Sequence, residues 1–223
     1  MRGDYLVSAV MPTANRPRLV RAAIACFQAQ TYAPRELVIL DDGESVENLI
    51  PNDDKIRYFH FTPTRVLGEK HNLGCELSRG EIICHWDDDD WSAPGRMEQQ
   101  VAALLASGKS VTGYHSLIFL DEVQLRAWDY HGPHDWVLGC SLCYLKSYWA
   151  EDRFPRISAG YDSYMILQAR KRAQLSSLPG PDQLVARRHS RNTSPFLLCA
   201  KYYREIGLDA LPPLFVRRPA IRS

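Results

Sequence analysis

The stretch Glu81-Ile82-Ile83-Cys84-His85-Trp86-Asp87-Asp88-Asp89-Asp90-Trp91-Ser92-Ala93-Pro94-Gly95-Arg96 joins a strand to a helix through four consecutive carboxylates. Residues 81–86 have the apolar character of a buried strand, and residues 94–106 predict a helix with proline near its first turn. Strand, polar loop and helix in that order are the repeating unit of a parallel α/β sheet. Adjacent carboxylates repel and raise one another's pKa, whereas a hard divalent cation, which prefers oxygen ligands, turns that repulsion into a binding site. The same residues also suit an acidic turn or a helix N-terminus, where Asp caps the backbone and complements the helix dipole. On these residues alone both readings stand.

Working outward, the unit repeats. Residues 5–11 form a short apolar run ended by Pro12, and Asn15-Arg16-Pro17 opens a helical pattern with Leu19, Ala22, Ala23, Cys26 and Phe27 on one face. Residues 36–40 predict a second strand running into Asp41-Asp42-Gly43, residues 56–61 a third, and residues 69–78 a helix stopped by Gly80. Beyond residue 110 the pattern changes. Residues 111–120 and 123–130 predict a strand pair around Asp121-Glu122, and residues 159–172 a loop leading into a helix. The expected fold is α/β, a mostly parallel central sheet flanked by helices. It forms one domain, with residues 1–108 as one half and residues 109–223 as the other. Open sheets of this kind bind ligands at the carboxyl ends of their strands. Pro12-Thr13-Ala14-Asn15, Asp41-Asp42 and residues 87–90 fall at those ends, so one site can recruit all three loops.

Bulk properties narrow the class. A chain of 223 residues is long enough to bury a substantial core, and a formal net charge of +1 gives no electrostatic reason to expect nucleic acid. The six cysteines are scattered, with Cys26, Cys75 and Cys84 in core-like segments, and read as reduced thiols. Cys140-Ser141-Leu142-Cys143 has no second pair at zinc-finger spacing. The N-terminus lacks the apolar run of a signal peptide, and no stretch approaches the roughly 20 apolar residues of a membrane span, so a cytoplasmic location is expected. Arg204, Arg217, Arg218 and Arg222 read as a solvated basic tail or as a peripheral contact with anionic lipid.

Taken together, Met11-Pro12-Thr13 with Asn15-Arg16, residues 36–43 with Asp41-Asp42-Gly43, Asn72 ahead of Gly80-Glu81, and Asp87-Asp88-Asp89-Asp90-Trp91 with Pro94 and Arg96 resemble the nucleotide-sugar domain of glycosyltransferase family 2. The match in order and spacing runs to about residue 105. It implies a Rossmann-like GT-A fold, a nucleoside-diphosphate sugar donor with a UDP-sugar foremost, a divalent cation (Mn2+ or Mg2+) and a saccharide or other hydroxyl acceptor. By the same resemblance Pro12, Thr13 and Asn15 belong to the nucleotide-sugar site. Asp41 accepts a hydrogen bond from the base, with Asp42 as second choice and Asn72 in the same set. Lys70 faces the nucleotide or is a solvated helix charge. Asp87-Asp88-Asp89 fits the D-x-D motif. Asp89 is the expected metal ligand, Asp87 or Asp88 meets the ribose or metal-bound water, and Asp90 faces the acceptor or caps the next helix.

In the second half Gly160-Tyr161-Asp162 resembles the family's acceptor side, where Glu-Asp is the more usual pair. Asp162 is there the catalytic base or, on its own residues, a helix N-cap. Residues 188–194 resemble a late motif whose histidine, here His189, reaches the metal or the diphosphate. Asn192-Thr193-Ser194 also fits a glycosylation sequon. Tyr114, Trp128, Tyr130 and Trp136 stack on a sugar ring or fill the core. The implied reaction is metal-dependent sugar transfer with inversion. Nucleotidyl transfer is the rival enzyme reading, although Pro12-Thr13-Ala14-Asn15 lacks the glycines of a phosphate loop, and a binding protein without turnover is the third.

Overall fold

The computed structural model describes residues 5–190, 192 and 200–216. The chain alternates β1 (Val7–Thr13), α1 (Pro17–Gln28), β2 (Arg35–Asp41), β3 (Ile56–His60), α2 (Leu67–Leu77), β4 (Ile82–His85), β5 (Trp91–Ser92) and α3 (Arg96–Ser107). It continues with β6 (Val111–Asp121), β7 (Arg126–His131), β8 (Cys143–Leu145), α4 (Lys146–Glu151), α5 (Tyr161–Lys171), β9 (Leu175–Pro179), β10 (Leu184–Arg188), β11 (Tyr203–Ile206) and α6 (Pro213–Val216). One sheet runs through both halves in the order β11-β7-β6-β8-β4-β1-β2-β3, with β9 and β10 on β6 and β5 on β10.

Every residue of β1 is buried, which is why its sequence is apolar on both faces rather than alternating, and its two polar residues, Ser8 and Thr13, are hydrogen-bonded to Glu36 and Asp88. Val7, Ala9 and Met11 meet Val20, Ala23, Ile24 and Phe27 of α1 and Met97, Val101 and Leu104 of α3 on one face. Val10, with Val38 and Leu40 of β2 and Ile83 of β4, meets Cys75 of α2, Trp149 of α4 and Met165 of α5 on the other. Each Val, Leu, Ile, Phe or Met among them contributes roughly 1.5–3 kcal/mol by leaving water. The helices are thus placed by apolar stripes on both faces of the sheet.

Strands β4, β1, β2 and β3 are parallel, as the alternation predicts. The rest makes the sheet mixed: β8 runs antiparallel to β4, and β6 and β7 pair antiparallel across the expected turn. A short hairpin can only join antiparallel strands, so the pattern change past residue 110 marks this departure. The chain leaves β1 for β2 and β3 on one side and returns to β4 on the other. The loops after β1 and β4 therefore flank a topological switch point, where a crevice forms at the strand ends. No helix of the described residues is long and apolar enough to cross a membrane.

Tyr114, Trp128 and Tyr130 are buried and Trp136 packs against the core, so these aromatics follow the core reading. The described cysteines are free, and Cys84 and Cys143 are cross-strand partners in β4 and β8. Cys199, Arg217, Arg218 and Arg222 lie outside the described residues.

Candidate active site

The four-carboxylate loop leaves β4 under heavy bracing. Trp86 is buried and donates Nε1–H to Ala23 O at 3.2 Å, and the fully buried Arg96 guanidinium stacks on its ring at 5.1 Å. Arg96 also donates to His85 O and Cys140 O, both at 2.9 Å, tying the end of β4 to the short 3-10 helix Gly139–Ser141. After the loop, Trp91 and Ser92 pair with Val185 and Leu184 of β10. The loop is held at both ends, so its carboxylates cannot separate to relieve their repulsion.

Asp88 turns toward β1, accepting from Thr13 Oγ1 at 2.6 Å and Arg16 Nη1 at 2.8 Å. Asp87, Asp89 and Asp90 each present one oxygen, and these oxygens lie within 4.8 Å of one another. Asp89 Oδ2 also meets Arg16 Nη1 and His189 Nε2, both at 3.1 Å, and Asn192 Nδ2 at 3.3 Å. Asp90 accepts from the backbone N–H of Arg187 at 3.0 Å. It does not cap the next helix: α3 starts at Arg96, with Gly95 at its N-cap and no side-chain cap. The acidic-cap reading of the whole run fails for the same reason. His189 and Asn192 reach the site, whereas Arg191, Thr193 and Ser194 of that motif lie outside the described residues.

The other expected donor-side residues divide sharply. Pro12 lines the cleft together with Arg16 and residues 87–90. Thr13 and Asn15 shape it from behind, Thr13 through Asp88 and Asn15 by accepting from the Glu44 N–H at 2.8 Å. Asp41 is wholly buried and accepts from Tyr58 OH at 2.7 Å, Gly43 N at 3.0 Å and Val46 N at 3.2 Å. Lys70 is neither a solvated charge nor turned to the cleft: it is buried, donating to Asp42 Oδ1 at 2.6 Å and to Thr13 O at 2.8 Å. Asp42 accepts again from Arg65 N. Asn72 bridges α2 to the loop before α5, accepting from Trp149 Nε1 at 2.9 Å and donating to Phe154 O at 2.9 Å. Asp41, Asp42, Lys70 and Asn72 therefore hold the fold around the cleft without lining it.

Asp162 lines the same cleft. Gly160 starts α5 in the left-handed conformation (φ 79°) and is itself the N-cap, so Asp162 lies inside the helix and its carboxylate accepts from Ser163 N at 2.7 Å. The N-cap reading of Asp162 gives way to a carboxylate on the cleft wall. Gly139 makes room for it, since a Cβ there would stand 1.6 Å from Asp162 Oδ2. The whole cleft measures about 420 Å³, within the range of roughly 300–1,000 Å³ usual for ligand pockets.

The electrostatics follow from crowding. Burial, then the neighbouring Asp89 and Asp88, push Asp87 up to about 7. Burial, then Asp89 and Asp87, lift Asp90 well above the usual carboxylate range, although both residues still touch the cleft. Burial also raises Asp88, against the pull of Arg16. Burial raises Asp162, backbone N–H groups opposing it. Burial works against the charge of Arg16, but Asp88 and Asp89 more than offset it and hold its pKa above the ordinary value. Three carboxylates confined this closely fit a hard divalent cation, which takes six or more oxygen ligands and supplies the missing positive charge. Arg16, Asn192 and Gly139 fell within stretches that the sequence reading quoted, but none received an individual role at the acidic cluster or beside Asp162. Arg16 was visible within the first motif, but nothing local shows that it crosses to the acidic loop.

A helix-flanked mixed sheet with this cleft defines the GT-A glycosyltransferase fold. The mannosyltransferase PcManGT of Pyrobaculum calidifontis, in complex with GDP-Man and Mn2+, superposes with a TM-score of 0.66 at 14% identity, covering 85% of this chain and 59% of that one. TarS 1-349 of S. aureus in complex with UDP-GlcNAc gives 0.64 at 14% identity, covering 86% and 62%. The sequence profile of glycosyl transferase family 2 matches residues 8–162, and the chain belongs to this family. An uncharacterized glycosyltransferase of Rickettsia felis is 36% identical over 215 residues, 93% of this chain but 29% of its own length. The UDP-Glc:alpha-D-GlcNAc-diphosphoundecaprenol beta-1,3-glucosyltransferase WfgD of Escherichia coli is 28% identical over 111 residues, 48% of this chain and 44% of that protein. The chain thus spans half or less of these two relatives.

Proposed function

We propose that the chain transfers a sugar from a nucleoside-diphosphate donor, with a UDP-sugar first, to a hydroxyl of a saccharide acceptor, with inversion at the anomeric carbon. The observation that carries this reading is that Asp162 lines the same cleft as the Asp87, Asp89 and Asp90 cluster without belonging to it. Family membership favours sugar transfer over nucleotidyl transfer, and the UDP-GlcNAc and GDP-Man bound by neighbours of the same fold support the donor class.

Asp89, with Asp87 and Asp90, would hold a divalent cation, either Mn2+ or Mg2+. When bound, that ion supplies positive charge to the leaving diphosphate, whose own charge grows as the glycosidic bond breaks. Asp88, anchored by Thr13 and Arg16, faces the ribose side. Pro12 forms the wall beside the nucleotide, and the loop braced by Asp41 bounds the base. His189 and Asn192 steady Asp89 from the far side. Asp162 accepts the acceptor hydroxyl's proton as the oxygen attacks, and its raised pKa makes it a stronger base than an exposed carboxylate. Attack from its side, opposite the departing diphosphate, inverts the anomeric centre. Two faces for two groups is the same geometry that marks inverting glycosidases.

A panel of UDP- and GDP-sugars incubated with Mn2+ and saccharide acceptors tests the reading. Acceptor-dependent release of nucleoside diphosphate is expected. Release of sugar-1-phosphate with transfer of the nucleoside monophosphate, or tight binding without any product, would replace it with nucleotidyl transfer or a binding protein.

A further inference from the structure

We infer that Arg16 is a resident counter-cation that yields its carboxylates to an incoming divalent ion and passes to the donor diphosphate, an inference that rests on the sugar-transfer reading above. Its Nη1 stands 2.8 Å from Asp88 Oδ1 and 3.1 Å from Asp89 Oδ2, and Asp89 is the carboxylate assigned to the metal. A guanidinium remains charged at any working pH, so it cannot resolve a conflict by losing a proton. A divalent ion and a guanidinium on one carboxylate repel each other at close range. Coordination at Asp89 therefore weakens the hold of Arg16 on it and favours departure of the side chain.

A path out exists. The side chain lines the cleft and keeps 16% of its surface exposed, while its backbone is fixed: the Arg16 carbonyl accepts from Leu19 N and Val20 N, and Pro17 follows. The other two cleft arginines are engaged with carboxylates outside the cluster, Arg187 with Glu122 at 2.5 Å and Arg188 with Asp121 at 3.0 Å. Arg16 alone among these three bonds the cluster with its side chain in the described structure, and so it alone is displaced by the ion. The diphosphate, arriving with the ion, is the anion that receives it. Metal and nucleotide binding then favour each other through one side chain, and by linkage the effect is reciprocal.

Calorimetry with Mn2+ alone, then with UDP and GDP in the presence of Mn2+, tests this in the wild-type chain and in Arg16→Ala, Arg16→Lys and Asp89→Ala. Arg16→Ala should bind Mn2+ alone about tenfold more tightly, and UDP or GDP with Mn2+ about tenfold more weakly, an ordinary size for a coupling between two ligands. Arg16→Lys should fall between. Shifts of opposite sign are the signature, since a residue that merely braced the loop would weaken both. Unchanged or weaker Mn2+ binding in Arg16→Ala, with Asp89→Ala losing the metal, overturns the role of Arg16 and leaves the metal assignment intact. Unchanged Mn2+ binding in Asp89→Ala overturns the metal assignment itself. Should Arg16→Ala not fold, nitrogen-15 NMR of the wild-type arginine side chains decides: the Arg16 resonance must shift when Mg2+ and UDP are added together, and an unmoved resonance overturns the exchange.

Discussion

At the end of β2, Asp41 and Asp42 hand their oxygens to Tyr58 OH, the N–H groups of Gly43, Val46 and Arg65, and Lys70 Nζ. At the end of β4, two strands away in the parallel part of the same sheet, Asp87, Asp89 and Asp90 turn oxygens toward one another instead. The two ends carry the same chemical group at equivalent places in the fold. What separates them is supply: the β2 loop brings donors enough to satisfy every carboxylate, and the β4 loop leaves a deficit of positive charge facing a cleft. Saturated carboxylates stabilise a structure. Crowded ones with too few cations bind something.

The comparison breaks most directly if substitutions at the two ends have the same effect. The largest expected effect lies on the cleft side. Asp162→Asn keeps the size of the side chain but removes its basicity, so turnover should fall by on the order of 100-fold or more while donor affinity, read by calorimetry, stays unchanged. Equal loss of donor affinity would move Asp162 to the donor side. Gly139→Ala sharpens the same point from its neighbour. A methyl group 1.6 Å from Asp162 Oδ2 must displace the carboxylate, and turnover should drop about 10-fold or more for a displacement near 1 Å, with metal binding intact.

On the β2 side the readout changes from rate to stability. Asp41→Ala removes the acceptor of the Gly43 N–H and one partner each of Tyr58 OH and the Val46 N–H, which keep Ser45 Oγ and one another, and an N–H left buried and unpaired costs roughly 1–3 kcal/mol. The melting temperature should fall by roughly 2–4 °C for each kcal/mol lost, while the metal dependence of nucleotide binding is retained. An unchanged melting temperature with lost nucleotide affinity would return Asp41 to base recognition.

Much of this was legible in advance, and the reason is periodicity. Strands β1 to β4 and helices α1 to α3 have apolar runs or stripes long enough to read, and all were expected within a few residues of their observed bounds. The strand pair β6 and β7 was legible too. Strands β5, β8, β9, β10 and β11 were not, because they are short and lack the strand, loop and helix alternation that marks β3 and β4, and each is created by its partners in the sheet. The site shows the same division. Four consecutive carboxylates announce themselves in the sequence, so the acidic loop stood out, whereas Asp162 was reached only through the family resemblance of Gly160-Tyr161-Asp162. Whether Lys70 faces solvent, nucleotide or Asp42, and whether Arg16 crosses 72 positions to Asp88, depends on contacts between distant segments.

The smallest expected effect is one of pH. Asp87 is raised from 3.8 to about 7 in the folded chain, so between those values the folded state holds more protons than the unfolded one. Stability must therefore decline as pH rises through that window and level off above it. In EDTA the melting temperature should be lower at pH 7.5 than at pH 5.5 by a few degrees, of the order that about 1 kcal/mol produces. Mn2+ should reverse the trend, because bound metal favours the ionised carboxylates. A melting temperature that rises with pH in EDTA would mean the cluster is not crowded.

Calorimetric titration of UDP with and without Mn2+ decides whether a divalent cation supplies the positive charge that the end of β4 lacks. The account predicts that Mn2+ strengthens UDP binding to the wild-type chain at least tenfold, the scale of an ordinary coupling between ligands, and that Asp89→Ala removes this gain without unfolding the protein. UDP binding that is equally tight with and without Mn2+, or a gain that survives Asp89→Ala, would contradict it.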